Sequence, residues 1–174
     1  VFAFGSNMAG RHGRGAAAFA ARWRGARMGQ GAGRARQSYA IATKDAQLRV
    51  LPVEAIATGV SDFLAYAREH ADLQFDVSAI GCGLAGYHDE TMAPLFADAP
   101  PNCRLPYKWQ RLFNPALPAR VIVAGSRSFT DGAFMARSLD KLLARLGSGT
   151  VIVSGGARGA DTLGEQYATD RGLG

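Results

Sequence analysis

Ala79-Ile80-Gly81-Cys82-Gly83-Leu84-Ala85-Gly86-Tyr87 reads as the end of a buried strand running into a glycine-rich loop. Glycine lacks a side chain that would block close approach and tolerates positive φ. A loop of this composition turns bare backbone N–H groups toward an anion, most often a phosphate. Two further stretches repeat the arrangement: Gly125-Ser126-Arg127, and Gly155-Gly156-Ala157-Arg158-Gly159-Ala160-Asp161. Each follows an apolar run, 120–124 and 150–153, with a helical pattern after it at 132–146 and at about 162–171. Strands alternating with helices predict a parallel α/β sheet. Such sheets bind ligands in the loops beyond the carboxyl ends of their strands.

The rest of the chain extends the pattern. Residues 1–4 are apolar and lead into Gly5-Ser6-Asn7, read as a turn; 16–23 is alanine-rich and helical, and 25–33 is a glycine-rich loop. Residues 38–43 form a strand ending at Lys44-Asp45. Residues 52–71 carry Val53, Ile56, Val60, Phe63, Leu64 and Ala67 near helical spacing. A strand is expected at 75–80 and a short helix at 88–97. Two proline-dense stretches, 99–102 and 114–118, deny the backbone its ladder bonds and helix interiors. They place a domain boundary near Leu117, giving domains at 1–112 and 119–174 with a linker at 113–118.

Composition narrows the classes. Of 174 residues, 48% are hydrophobic and 20% charged, a globular balance without an apolar run long enough to cross a bilayer. The first residues read as a strand and not as a leader, and both ends read as cut. Two cysteines, Cys82 and Cys103, supply neither a disulfide framework nor a metal-ligand spacing, which favours a cytoplasmic setting. Cys82 is a small buried residue on this reading, because no base stands near it in sequence to activate a thiolate. His12, His70 and His88 have no metal spacing either. The net charge is +6, and Arg11, Arg14, Arg22, Arg24, Arg27, Arg34 and Arg36 occur without an intervening acid. Such a cluster steers small phosphorylated ligands, or binds nucleic acid.

Asn7 offers a donor and an acceptor suited to ribose hydroxyls, and Gly13 and Gly15 precede the alanine-rich helix, whose N-terminus favours a diphosphate. Phe4-Gly5-Ser6-Asn7, Tyr39-Ala40-Ile41-Ala42-Thr43-Lys44 and Ile80-Gly81-Cys82-Gly83-Leu84 resemble the macro domain over about residues 1–98. The similar branch is that of terminal ADP-ribose protein glycohydrolase. The resemblance implies ADP-ribose as ligand, with no cofactor required. It places Gly5, Ser6, Asn7, Gly13, Gly15, Gly81, Cys82, Gly83, Leu84, Ala85, Gly86 and Tyr87 around the ligand, Tyr87 stacking on it or closing over it. It implies a nucleophilic role for Lys44. That branch has an aspartate where this chain has Ala85, which leaves Asp45, Asp89 or Glu90 to supply the acid. Binding without turnover is the simplest account of the missing aspartate.

The later motifs, Gly125-Ser126-Arg127 and Gly155 to Asp161, resemble the SLOG superfamily of Rossmann-like proteins over residues 119–174, and in particular its small phage and bacterial branch. The resemblance implies a second nucleotide site at Gly125, Ser126, Arg127, Gly155, Gly156, Gly159 and Asp161. Asp161 there either caps the helix or binds a sugar hydroxyl. The expected fold class is thus α/β: a macro-like mixed sheet flanked by helices, then an incomplete Rossmann-like parallel unit. The functions expected are ADP-ribose or related nucleotide binding, hydrolysis of an ADP-ribosyl or N-glycosidic bond, or, as the alternative, nucleic-acid binding by the arginines at 11–36. Expected partners are a small nucleotide or an ADP-ribosylated macromolecule and no membrane, with homo-oligomerisation left open. The setting implied is phage or bacterial nucleotide signalling or NAD metabolism.

Overall fold

A computed structural model describes residues 1–147 and 149–174. The chain forms two compact units, Val1–Asn114 and Pro115–Gly174. In the first unit the strands β1 (Phe2–Asn7), β2 (Gly33–Ala35), β3 (Ser38–Lys44), β4 (Phe75–Val77) and β5 (Cys103–Arg104) form one sheet. Its order is β2-β3-β1-β4-β5. β1 runs parallel to β3 and β4, β4 is parallel to β5, and β2 alone is antiparallel, on the edge.

Both faces of this sheet are covered, so its central strands are apolar almost throughout. Alternate residues serve opposite faces. Ala3, Tyr39 and Ile41 pack with Ile56, Val60, Phe63, Leu64 and Ala67 of α2 (Val53–Glu69). Phe4 and Ala40 face the other way, against Ala17 and Ala20 of α1 (Gly15–Trp23). Asn102, inside the proline-dense stretch, is buried and donates from Nδ2 to the carbonyls of Ala67, His70 and Leu73. It thereby gives a partner to the Ala67 carbonyl, left over at the end of α2, and ties down the turn that follows.

After β4 come α3 (Asp89–Met92), a 3₁₀ turn at Ala93–Phe96, β5, and α4 (Tyr107–Phe113). Phe96 and the fully buried Trp109 complete the main core, their rings 5.0 Å apart. In the second unit β6 (Arg120–Val123) and β7 (Val151–Ser154) pair in parallel, with α5 (Gly132–Leu146) between them in sequence and α6 (Ala160–Asp170) after them. Val123, Leu139 and Tyr167 centre its core. This small parallel sheet with its helices fits an incomplete Rossmann-like unit, and the whole chain is α/β.

The structure corrects several element boundaries. Gly5-Ser6-Asn7 is the end of β1 and not a turn. These small residues extend the ladder because Gly5 and Ser6 pair with Ile41 and Ala42 of β3. β4 stops at Val77, three residues before the expected end, and α6 begins at Ala160. β2 grows out of the expected 25–33 loop, and β5 and α4 fall where only proline breaks are legible.

Candidate functional site

The carboxyl ends of β1 and β3 and the loop after β4 open into a cleft of about 700 Å³. Gly5, Ser6, Asn7, Gly13, Gly15, Lys44, Gly81, Cys82, Gly83, Leu84 and Ala85 all line it, and so do Arg11 and Arg14. Two of the expected ligand-binding residues do not. Gly86 closes the turn through its N–H to the Gly83 carbonyl (2.9 Å). Tyr87 packs beside the main core and donates its hydroxyl to the Leu51 carbonyl at 2.7 Å, which ties it away from the cleft.

Arg11, Arg14 and Lys44 are the charged groups of the lining; no Asp or Glu is among its residues. Asp45, expected to serve Lys44, belongs instead to a tight turn. Its carboxylate accepts from the Gln47 and Arg49 N–H groups (2.9 Å each) and from Arg49 Nε at 2.7 Å. Desolvation acts upward on its pKa, but the bonds from Arg49 and Gln47 outweigh it and hold the carboxyl below its ordinary value. Asp89 is likewise committed, to the Lys108 ammonium and to Trp109 Nε1 (2.6 Å). The Lys108 hydrogen bond is the main reason its carboxyl lies below the usual range.

Backbone donors without partners belong to two segments of the cleft lining. Among the described residues, the N–H groups of Gly83, Leu84 and Ala85 have no acceptor within the chain. The first N–H groups of α1, at Gly15, Ala16 and Ala17, are also unpartnered, because Arg14 at the N-cap makes no side-chain cap bond. All six residues line the cleft. Orphan donors at a helix start carry partial positive charge and suit an anion. Gly81 sits behind this loop at φ +83°, where a Cβ would lie 2.8 Å from Met92 Cε. The turn therefore requires glycine there.

Asn7 has a different occupation from the one its residue type suggests. Its Nδ2 donates to the Arg11 carbonyl (2.8 Å) and its Oδ1 accepts from the Arg11 N–H (3.0 Å). The side chain, only 7% exposed, pins the loop that carries Arg11 and Arg14. Ser6 Oγ lies 2.9 Å from Nε2 of His12, a pairing that spacing alone does not disclose. His12 is buried edge-on against Phe4, its Nδ1 has no partner, and burial pushes its pKa down. Cys82 is half-buried. Burial, followed by the charge of Asp89, pushes its thiol up to about 11, so it is not an activated nucleophile.

In the second unit the expected residues gather at the carboxyl ends of β6 and β7. Gly159, at φ +83°, would place a Cβ 2.3 Å from the Ser126 carbonyl oxygen, so the two glycine loops abut there. Ala160 N–H donates to that carbonyl (3.2 Å). Asp161 is buried, and its Oδ2 accepts from the N–H groups of Gly155 (3.1 Å) and Ala157 (3.4 Å). Gly156 N–H bonds Ser154 Oγ at 3.1 Å. Asp161 thus clasps the loop before α6, whose N-cap is Gly159. Gly125, Ser126 and Arg127 stay exposed.

A glycine-looped parallel unit of this kind belongs to the Rossmann-like class. More narrowly, residues 119–174 match the family model described as YAcAr, the YspA, cpYpsA-related SLOG family. That family points to nucleotide-related binding in general. The match starts at residue 119 and does not extend over the first unit. No curated protein and no solved structure matches the chain. Among the described residues, no helix is long and apolar enough to cross a membrane.

Proposed function

We propose that the first unit binds ADP-ribose or a closely related NAD-derived nucleotide, and that the second unit holds a further nucleotide-type ligand. The observation that carries the first reading is the charge balance of the cleft. Three cationic side chains and six unpartnered N–H groups line it, and no carboxylate does. Its walls include Ala16, Ala17, Leu48, Ile80 and Leu84, which suit the flat apolar faces of a base and a sugar. An anion flanked by such faces describes a nucleoside diphosphate sugar. The volume falls within the range of about 300–1,000 Å³ usual for small-molecule sites.

Binding without turnover is the reading we favour. Lys44 lines the cleft and, among the described residues, makes no ion pair. Of the acids expected to serve it, Asp45 and Asp89 are held by other cations, and the exposed Glu90 is not among the residues that line the cleft. The second unit's ligand is assigned from the SLOG match and from the gathering of Ser126, Arg127 and the glycine loops.

Calorimetric titration with ADP-ribose tests the first reading, with Gly83→Glu as the control. A Cβ at Gly83 meets no atom within 4 Å, so the new side chain fits and brings a carboxylate to the mouth of the cleft. The expected result is saturable binding by the parent and a loss of about tenfold or more in the variant, from like-charge repulsion at close range. Equal binding by the two proteins, or no binding by the parent, overturns the reading.

A further inference from the structure

Most of the early arginines lie outside the cleft. Eight of the chain's 20 Lys and Arg residues fall within residues 1–44, and none of its 14 Asp and Glu residues does. Among the described residues, none of the seven arginines from Arg11 to Arg36 forms an ion pair with a carboxylate. Arg49, Arg104, Lys108 and Arg171 each have one. Unneutralised charge at this density raises the local concentration of a polyanion.

The same surface carries aromatic rings. Phe19 and Trp23 lie one helical turn apart on α1 and are 42% and 65% exposed. Residues four apart share a helix face. The Arg22 guanidinium stands 5.0 Å from the Trp23 ring centroid, and that of Arg24 stands 5.7 Å from the centroid of Phe19. Phe19 is steadied from behind by an edge contact with Phe2 at 5.2 Å. Large exposed rings interleaved with guanidinium groups have no packing role in the first unit's cores.

We propose that the outer face of α1 and the loop after it bind single-stranded nucleic acid. The guanidinium groups of Arg22, Arg24 and Arg27 take the phosphates, and Trp23 and Phe19 stack on unpaired bases. Flat ring faces require bases freed from a duplex. The cations on this face are arginines, whose planar forks match phosphate oxygens in pairs; a surface built only for membrane charge gains nothing from that choice. The proposal stands apart from the cleft, because α1 presents its N-terminus there and Trp23 at its other end.

The test is fluorescence anisotropy of labelled oligothymidine and oligouridine with the full chain at a series of NaCl concentrations. The logarithm of affinity should fall linearly with the logarithm of salt, by about 0.7 for each phosphate neutralised. Arg22→Gln should flatten that slope by about one such step. Trp23→Ala should weaken binding by about 5- to 100-fold, whereas Trp23→Phe retains most of it. Trp23 emission should be quenched by the oligonucleotide, while Trp109 is fully buried and should not respond. Gly83→Glu should leave oligonucleotide affinity unchanged, which separates this result from the fate of the cleft. Four outcomes overturn the proposal: no salt-dependent binding, no effect of Trp23→Ala, equal affinity for a duplex, or a response of Trp23 to phosphatidylserine vesicles and not to the oligonucleotides.

Discussion

Replacing Asn7 with alanine decides whether that side chain builds the cleft or touches its ligand. In the structure both ends of the amide are spent on Arg11, at 2.8 and 3.0 Å. Two neutral hydrogen bonds are worth about 2 kcal/mol together. The unit Val1–Asn114 has an unfolding entropy of about 2.1 cal/mol/K per residue, or about 240 cal/mol/K in all. The melting temperature of the unligated protein should therefore fall by about 8 °C. Freed from Asn7, the loop bearing Arg11 and Arg14 loses its fixed position, and ADP-ribose affinity should fall with it. The assays are thermal unfolding by circular dichroism and calorimetric titration on the same samples. A variant that melts with the parent and yet loses affinity would refute the reasoning, because it would make Asn7 a ligand contact with no structural share.

Two further outcomes follow from buried groups. Because burial lowers the pKa of His12, the folded state holds the neutral imidazole while the unfolded chain takes a proton below about pH 6.5. Stability should be level above that pH and decline as pH falls from it toward the folded value; urea midpoints across that window should show the slope, and His12→Gln should lose it. Asp161→Ala should free the Gly155 and Ala157 N–H groups, speed their hydrogen exchange and cost about 1–3 kcal/mol, whereas Asp161→Asn keeps an acceptor and costs less.

Where the sequence was legible, an unbroken apolar run or a helical spacing explains why, and in β1 and β3 burial on both faces imposes that run. β1, β3, β6 and β7 stand out as apolar runs, and α2 and α5 as helical spacings ended by recognisable breaks. β2 is three residues long and starts at Gly33, so no pattern announces it. β5 has two residues, and α4 has seven with Trp109 alone fully buried, too short a signal for periodicity. The glycine loop of the first unit, read as a ligand loop because its residue types have few other uses, does line the cleft from Gly81 to Ala85. The pairing of Ser6 with His12, the clasp by Asn7 and the hold of Lys108 and Trp109 on Asp89 were not readable. Each depends on atoms that only the fold brings within 3 Å.

Glycine content marks a loop that can accept an anion; the state of its N–H groups decides whether it does. The loop at 155–157 is as glycine-rich as any in the chain, yet its three donors are taken by Asp161 and Ser154. A phosphate arriving there would have to displace a carboxylate already neutralised by the same donors, and would gain little. Within the proposed reading, the second unit's ligand is therefore expected on the side of Ser126 and Arg127, which remain exposed. At 83–85 the accounting is reversed. Among the described residues, three donors of the cleft lining have no acceptor, no acid lines the cleft, and α1 adds three more from its uncapped start. Donors left in that state turn to water or to a ligand. On the proposed reading an anion takes the place of that water, and the two loops, so alike in composition, have different tasks.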